Sequence, residues 1–115
     1  MRYLCLVYFA PAALSALSSG DKAKLDHDSM AYDEELNRTG NYVVAEALDR
    51  TATARTVRVR RGKVSSTDGP FAETKEVLGG FILIEATNMD QAVNLAAGIP
   101  LAKLGSIEVR PILKL

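Results

Sequence analysis

The sequence has no tryptophan, one histidine and one cysteine among 115 residues. A single cysteine, Cys5, excludes an internal disulfide, and its apolar neighbours predict a buried, inert thiol. There is no excess of either charge sign: 14 basic residues balance 14 acidic ones. A general nucleic-acid binder needs a basic surplus to neutralise phosphates, and a polybasic membrane anchor needs one to meet anionic lipid, so both classes are disfavoured. The apolar run from Met1 to Phe9 is too short to cross a bilayer, and Ala16-Leu17-Ser18 is a poor signal-cleavage site. The run reads instead as a buried strand, with a cytoplasmic location expected. Gly62-Lys63 lacks the upstream glycine of a P-loop and no Gly-x-Gly-x-x-Gly occurs. Nucleotide binding therefore has no support, and no cofactor is expected. Asp26, His27 and Asp28 are consecutive helix positions, which diverge by about 100° each and cannot converge on one ion. No metal site is expected.

What is present suits one domain over residues 1–115. Apolar residues make up 48% of the chain, enough for a core without metal or disulfide staples. Residues 2 to 9 read as a strand buried on both faces, stopped at Pro11. Ala12 to Ser19 is a loop or one short helical turn. Asp21 offers an N-cap for a long helix to about Thr39, with Gly40 as its C′ residue. Leu25, Ser29, Tyr32 and Leu36 form one stripe of that helix, and His27 lies about 200° from Leu25, on the outer side. Asn41 to Leu48 is a second strand and Asp49 to Ala54 a polar connection. Thr56 to Arg60 alternates, predicting Val57 and Val59 inward and the arginines in water. Arg61-Gly62 is a tight turn, and Lys63 to Thr67 completes a hairpin. Gly79-Gly80 opens a central strand over Phe81 to Ala86. Asn88 and Gln91 form a capping box for a second helix, ended by Gly98 and Pro100. Ser106 to Leu113 closes the chain as a strand interrupted by Pro111.

This order, β-α-β, a hairpin, then β-α-β, predicts an α+β ferredoxin-like plait: a four-stranded antiparallel sheet with two helices on one face, the hairpin added to it. The other face would carry Tyr, Val and Ile side chains. A lone domain would expose it, so a two-fold homodimer packed sheet against sheet is expected.

Between the hairpin and the central strand lies Asp68-Gly69-Pro70-Phe71, then Ala72-Glu73-Thr74-Lys75-Glu76. Two readings of it stand side by side. In one it is structural: Asp68 accepts a backbone hydrogen bond, Gly69 supplies an unusual φ, Pro70 fixes the next one, and Phe71 pins the loop by burial. In the other the rigid turn holds Asp68 at a cleft mouth as a general base or acceptor, beside Glu73, Lys75 and Glu76. The mixed charges of Glu73, Lys75 and Glu76 also fit a solvated surface. Arg55, Arg58, Arg60, Arg61 and Lys63 make the hairpin basic. A solvated face, an acidic partner and nucleic acid are the three readings of that feature.

Asp68 to Glu76 with Gly79-Gly80, together with Ala54 to Arg58, Ile99-Pro100 and Glu108 to Pro111, resembles the DGPF-domain branch of the YCII-related proteins. The resemblance covers most of the chain. It implies a ferredoxin-like fold assembled as a dimeric α+β barrel. YCII-type relatives are proposed to be enzymes on the strength of a His–Asp pair, and the histidine's place on the first helix falls near Ser29. No histidine stands there. Some relatives are fused to, or encoded beside, extracytoplasmic-function sigma factors, which implies a regulatory protein partner as the alternative to a site. The site reading names Asp68 as the catalytic or anchoring group in a cleft between sheet, loop and first helix. Ser29, Tyr32, Phe71, Glu73 and Lys75 are ligand contacts and Arg110 a counter-ion, for a small-molecule ligand without an assigned reaction.

Overall fold

Large apolar side chains at alternate positions make Arg2–Phe9 a strand with two usable faces. In the computed structural model, which describes residues 1–115, this strand, β1, is one of two central strands. The elements that follow are α1 (Pro11–Ser15), α2 (Ser19–Arg38), β2 (Tyr42–Ala47), β3 (Arg55–Arg60), β4 (Lys63–Asp68), β5 (Val77–Glu85), α3 (Met89–Ala97) and β6 (Gly105–Pro111). Short 3-10 turns occupy Thr51–Thr53 and Pro100–Lys103.

β2, β5, β1 and β6 lie side by side in that order, all antiparallel to their neighbours. Cys5 stands opposite both Ile82 and Val109, and Tyr3 opposite Ile84, so one sheet face carries Tyr3, Cys5, Val7, Ile82 and Ile84. Leu36 of α2 and Ala92 and Ala96 of α3 pack on that face and complete the buried core. Alanines at the α3 contact let the helix lie close to the sheet. The other face presents Leu4, Leu6, Phe81 and Leu83, all half-buried, with Leu4 opposite Leu83 and Leu6 opposite Phe81. The arrangement is an α+β fold with an antiparallel sheet and three helices, consistent with the ferredoxin-like expectation; the short α1 is the helical turn allowed for after Pro11.

Several local expectations hold. Gly40, Gly62 and Gly69 take φ of 80°, 75° and 96°, where a Cβ would be strained. The Asn88 side chain accepts from the Gln91 amide at 2.9 Å. The Gln91 carbonyl oxygen reaches one residue further back than the box predicts, accepting from the Thr87 amide at 2.7 Å. Other expectations are corrected. The α2 cap is Ser18, whose hydroxyl accepts from the Asp21 amide at 3.1 Å; Asp21 lies in the first turn, where its charge suits the helix dipole. β5 begins at Val77 rather than at the glycines, and β6 stops at Pro111.

The largest correction concerns the hairpin. β3 and β4 form a separate two-stranded sheet, with Arg55 paired to Asp68 and Val59 to Val64. Val57, Val59 and Val64 do not turn into a core: they are 62%, 57% and 72% exposed. Alternation correctly separated them from the arginines, but the ribbon projects from the body, and neither of its faces is covered. The projection shows in a radius of gyration of 16.0 Å, against about 13 Å for a compact chain of this length.

Candidate functional site

A helix crossing a sheet leaves a gap wherever the side chains between them are small. Here β5 supplies Gly79 and Gly80, and β2 supplies Ala45 and Ala47, beneath the middle of α2. The result is a cleft of about 220 Å³ lined by Asp26, Ser29, Tyr32 and Asp33 of α2, by the Glu46 backbone of β2, and by Gly80 and Ile82 of β5. Gly80 is required by the sheet itself: a Cβ there would sit 2.8 Å from the Glu46 carbonyl oxygen. A Cβ on Gly79 would overlap the Phe9 ring. The paired glycines are therefore packing requirements that also open the cleft.

Asp26, Ser29 and Asp33 fall at i, i+3 and i+7, one face of the helix. Asp33 is half-buried, and burial holds its carboxyl above the ordinary 3.8. Tyr32 bridges α2 to α3 by donating its hydroxyl to the Leu95 carbonyl at 2.5 Å, and burial raises its phenol as well. Neither Asp26 nor Asp33 has a cation within 4.0 Å, whereas Asp28 and Glu35 on the same helix are paired with Lys24 and Arg38. No three His, Cys, Asp or Glu side chains come close enough to share a metal ion. The cleft thus offers acceptors and uncompensated negative charge, suited to a small polar ligand with hydroxyl or cationic groups.

Of the residues singled out in the sequence, Ser29 and Tyr32 meet in this cleft. Asp68 does not join them. It ends β4 with its side chain 86% exposed, 3.4 Å from the Arg55 guanidinium across the ribbon. The loop after it is tied elsewhere: the Gly69 amide donates to Ala54 O at 2.7 Å, and the Thr56 hydroxyl donates to Gly69 O at 2.9 Å. Phe71 is not pinned by burial but 80% exposed. It lines a second hollow of about 670 Å³ at the base of the ribbon, with Tyr8, Arg50, Arg55, Glu76 and Leu78. Glu73 and Lys75 are exposed and form no ion pair. Arg110 lies on β6 opposite Leu4, on the sheet face away from α2, 3.8 Å from the Glu108 carboxylate. His27 is exposed, on the outer side of α2 as the helix arithmetic required.

Sequence reasoning missed Asp26 and Asp33 as cleft residues. Their helix spacing about Ser29 was a usable signal.

No helix of the structure is long and apolar enough to cross a membrane. A solved structure of 5-chloro-2-hydroxyhydroquinone dehydrochlorinase from Burkholderia phenoliruptrix, in complex with 2,5-dihydroxybenzoquinone, has a similar fold. Its TM-score is 0.57, at 18% identity over 98% of this chain and 94% of that one. An uncharacterized protein of Rhizobium meliloti (strain 1021) is 35% identical over 114 residues, covering 97% of this chain and 92% of the relative. The sequence profile of the YCII-related domain matches residues 1–115. By that profile, which spans the whole of it, the chain belongs to the YCII-related domain family.

Proposed function

We propose that this chain is a small-molecule-binding, enzyme-like domain that holds its ligand in the cleft between α2, β2 and β5. The observation that carries the reading is the cleft itself, where Ser29, Tyr32 and the two unpaired carboxylates of Asp26 and Asp33 border a glycine-lined gap. Its volume is below the usual range for drug-sized pockets and fits a single small ring or a short polar chain. A hydroxylated ring of the kind bound in the dehydrochlorinase structure is of that scale. Asp33, already raised by burial, is shifted in the direction that suits proton exchange with such a hydroxyl. Ser29 stands near the place where relatives are proposed to carry a histidine, so acid–base work here falls to carboxylates.

In the same reading two chains pair through the faces bearing Leu4, Leu6, Phe81 and Leu83, forming a dimeric α+β barrel of the DGPF type. Asp68, with Phe71, Glu73, Lys75 and Arg110, is a second candidate acid–base set. It stays outside the α2 cleft in one chain and belongs to a site only if the paired chain brings it to one.

Titrating isotope-labelled protein with 2,5-dihydroxybenzoquinone tests the reading by NMR. Amide shifts are expected at Ser29, Asp33 and Gly80, and at least tenfold weaker binding in Ser29→Val and Asp33→Asn variants that remain folded. Shifts confined to other regions, or unchanged affinity in both variants, would refute it. Asp68→Ala in the same titration decides whether Asp68 contributes: full folding with weakened binding places it in the site.

A further inference from the structure

The β3–β4 ribbon has two chemically different sides. Strand alternation and the register put Val57, Val59 and Val64 on one and Arg58, Arg60 and Lys63 on the other, with Arg61 at the turn. No acidic residue shares the basic side. Arg55, Arg58, Arg60, Arg61 and Lys63 against Asp68 give residues 55–68 a net charge of +4 in a chain that is neutral overall, so the remainder carries −4. Arg58, Arg60, Arg61 and Lys63 form no ion pair, and neither do Asp26 and Asp33 at the cleft. A two-stranded ribbon with both faces in water is marginally stable alone, so this one is built to be covered. Six-residue strands give it a reach of about 20 Å.

We propose that the ribbon is an arm exchanged between two copies of this chain, its basic side closing over the Asp26 and Asp33 mouth of the partner copy's cleft. The occupant is a second copy because the charge that the arm lacks is present, equal and opposite, on the body of the same sequence. A two-fold pair satisfies both at once, each copy giving one arm and receiving one, which is the self-complementary form of a closed dimer. The cleft gains guanidinium and ammonium groups that its own chain does not supply, so the binding site is complete only in the pair. The inference rests on the cleft and dimer reading above, and it adds where the arm goes.

Two measurements test it. An equimolar mixture of unlabelled and ¹⁵N-labelled protein is treated with a zero-length carbodiimide, which joins amines to carboxylates in direct contact. Lys63 is the only amine on the arm, and mixed-isotope peptides linking it to Asp26 or Asp33 are expected; links found only within one isotope, or no such link, count against exchange. Sedimentation then compares dimer dissociation in the wild type, in the arm variant R58E/R60E/K63E, and in Leu6→Glu on the open sheet face. The arm variant is expected to dissociate at least tenfold more readily, and to regain affinity when mixed with the D26K/D33K variant. If Leu6→Glu breaks the dimer while the arm variant leaves it intact, the sheet-to-sheet reading survives and the arm proposal is wrong. A monomeric wild type overturns both. Transfer RNA retained by the wild type and lost by the arm variant, without any change in dimer dissociation, would assign the arm to nucleic acid and overturn the exchange.

Discussion

Replacing Gly98 by alanine puts a methyl group into the ring of Tyr32. Gly98 follows α3 with φ of −81° and ψ of −11°, a conformation that any residue adopts, so backbone strain is not at issue. The added Cβ would instead overlap the Tyr32 hydroxyl and the adjacent ring carbons, while that hydroxyl is held in place by the Leu95 carbonyl. Overpacking of this kind costs about 1–3 kcal/mol. At about 2.1 cal/mol/K of unfolding entropy per residue, a chain of 115 residues carries about 240 cal/mol/K, so each kcal/mol moves Tm by about 4 °C. Gly98→Ala is therefore expected to lower Tm by about 4–12 °C. Tyr32→Leu removes the overlapping atoms while keeping an apolar side chain on the helix. In that background the same Gly98→Ala change should stabilise, by about 0.4–1 kcal/mol, through reduced freedom of the unfolded chain. The sign of the substitution thus reverses with its neighbour. Thermal and urea unfolding of the four proteins, followed by circular dichroism, measures the cycle. Additivity within about 0.5 kcal/mol would show that Gly98 and Tyr32 do not meet and would refute the α2–α3 packing.

Three further outcomes are expected. Gly80→Ala should destabilise by about 1–3 kcal/mol, read from urea midpoints, because its Cβ meets the rigid Glu46 carbonyl across the β2–β5 pair; a neutral effect would place β2 elsewhere. Cys5 is fully buried and its thiol is pushed up to about 11, so a disulfide reagent at pH 8 should label it only after unfolding; rapid labelling of native protein would contradict the core. Asp33 is raised by burial, so the folded chain holds its proton more tightly than the unfolded chain. Its contribution is fully present below the ordinary 3.8 and is lost as pH rises through the higher folded value. Asp33→Asn should therefore gain stability relative to wild type between pH 3 and pH 7, and a difference that stays constant across that range would refute the assignment.

How much of this was legible in the chain differs by feature. The left-handed turns at Gly40, Gly62 and Gly69, the Asn88 cap and the alternation of β3 were readable, because each depends on a few neighbouring residues and their allowed dihedrals; β1, read as buried on both faces, is fully buried on one face only. The α2 cap slipped from Asp21 to Ser18 because both residue types can cap, and which one does is decided by where the chain enters the helix. In the Asp68 loop the unusual φ of Gly69 was read correctly, but Phe71 is exposed, and the Asp68 carboxylate faces Arg55 across the ribbon rather than a backbone amide or Ser29 and Tyr32.

By itself, the sequence determined the elements, their order, the side of each strand that holds apolar residues, and the family. Tertiary structure alone decided that Val57, Val59 and Val64 stay in water, that Gly79 and Gly80 floor a cleft, and that Asp26 and Asp33 border it. Helical and strand periods are set by local sterics and repeat every few residues. The convergence of a helix face on a strand some ten to twenty residues away is set by where α2 crosses the sheet, and that is decided by packing between surfaces that no local period encodes.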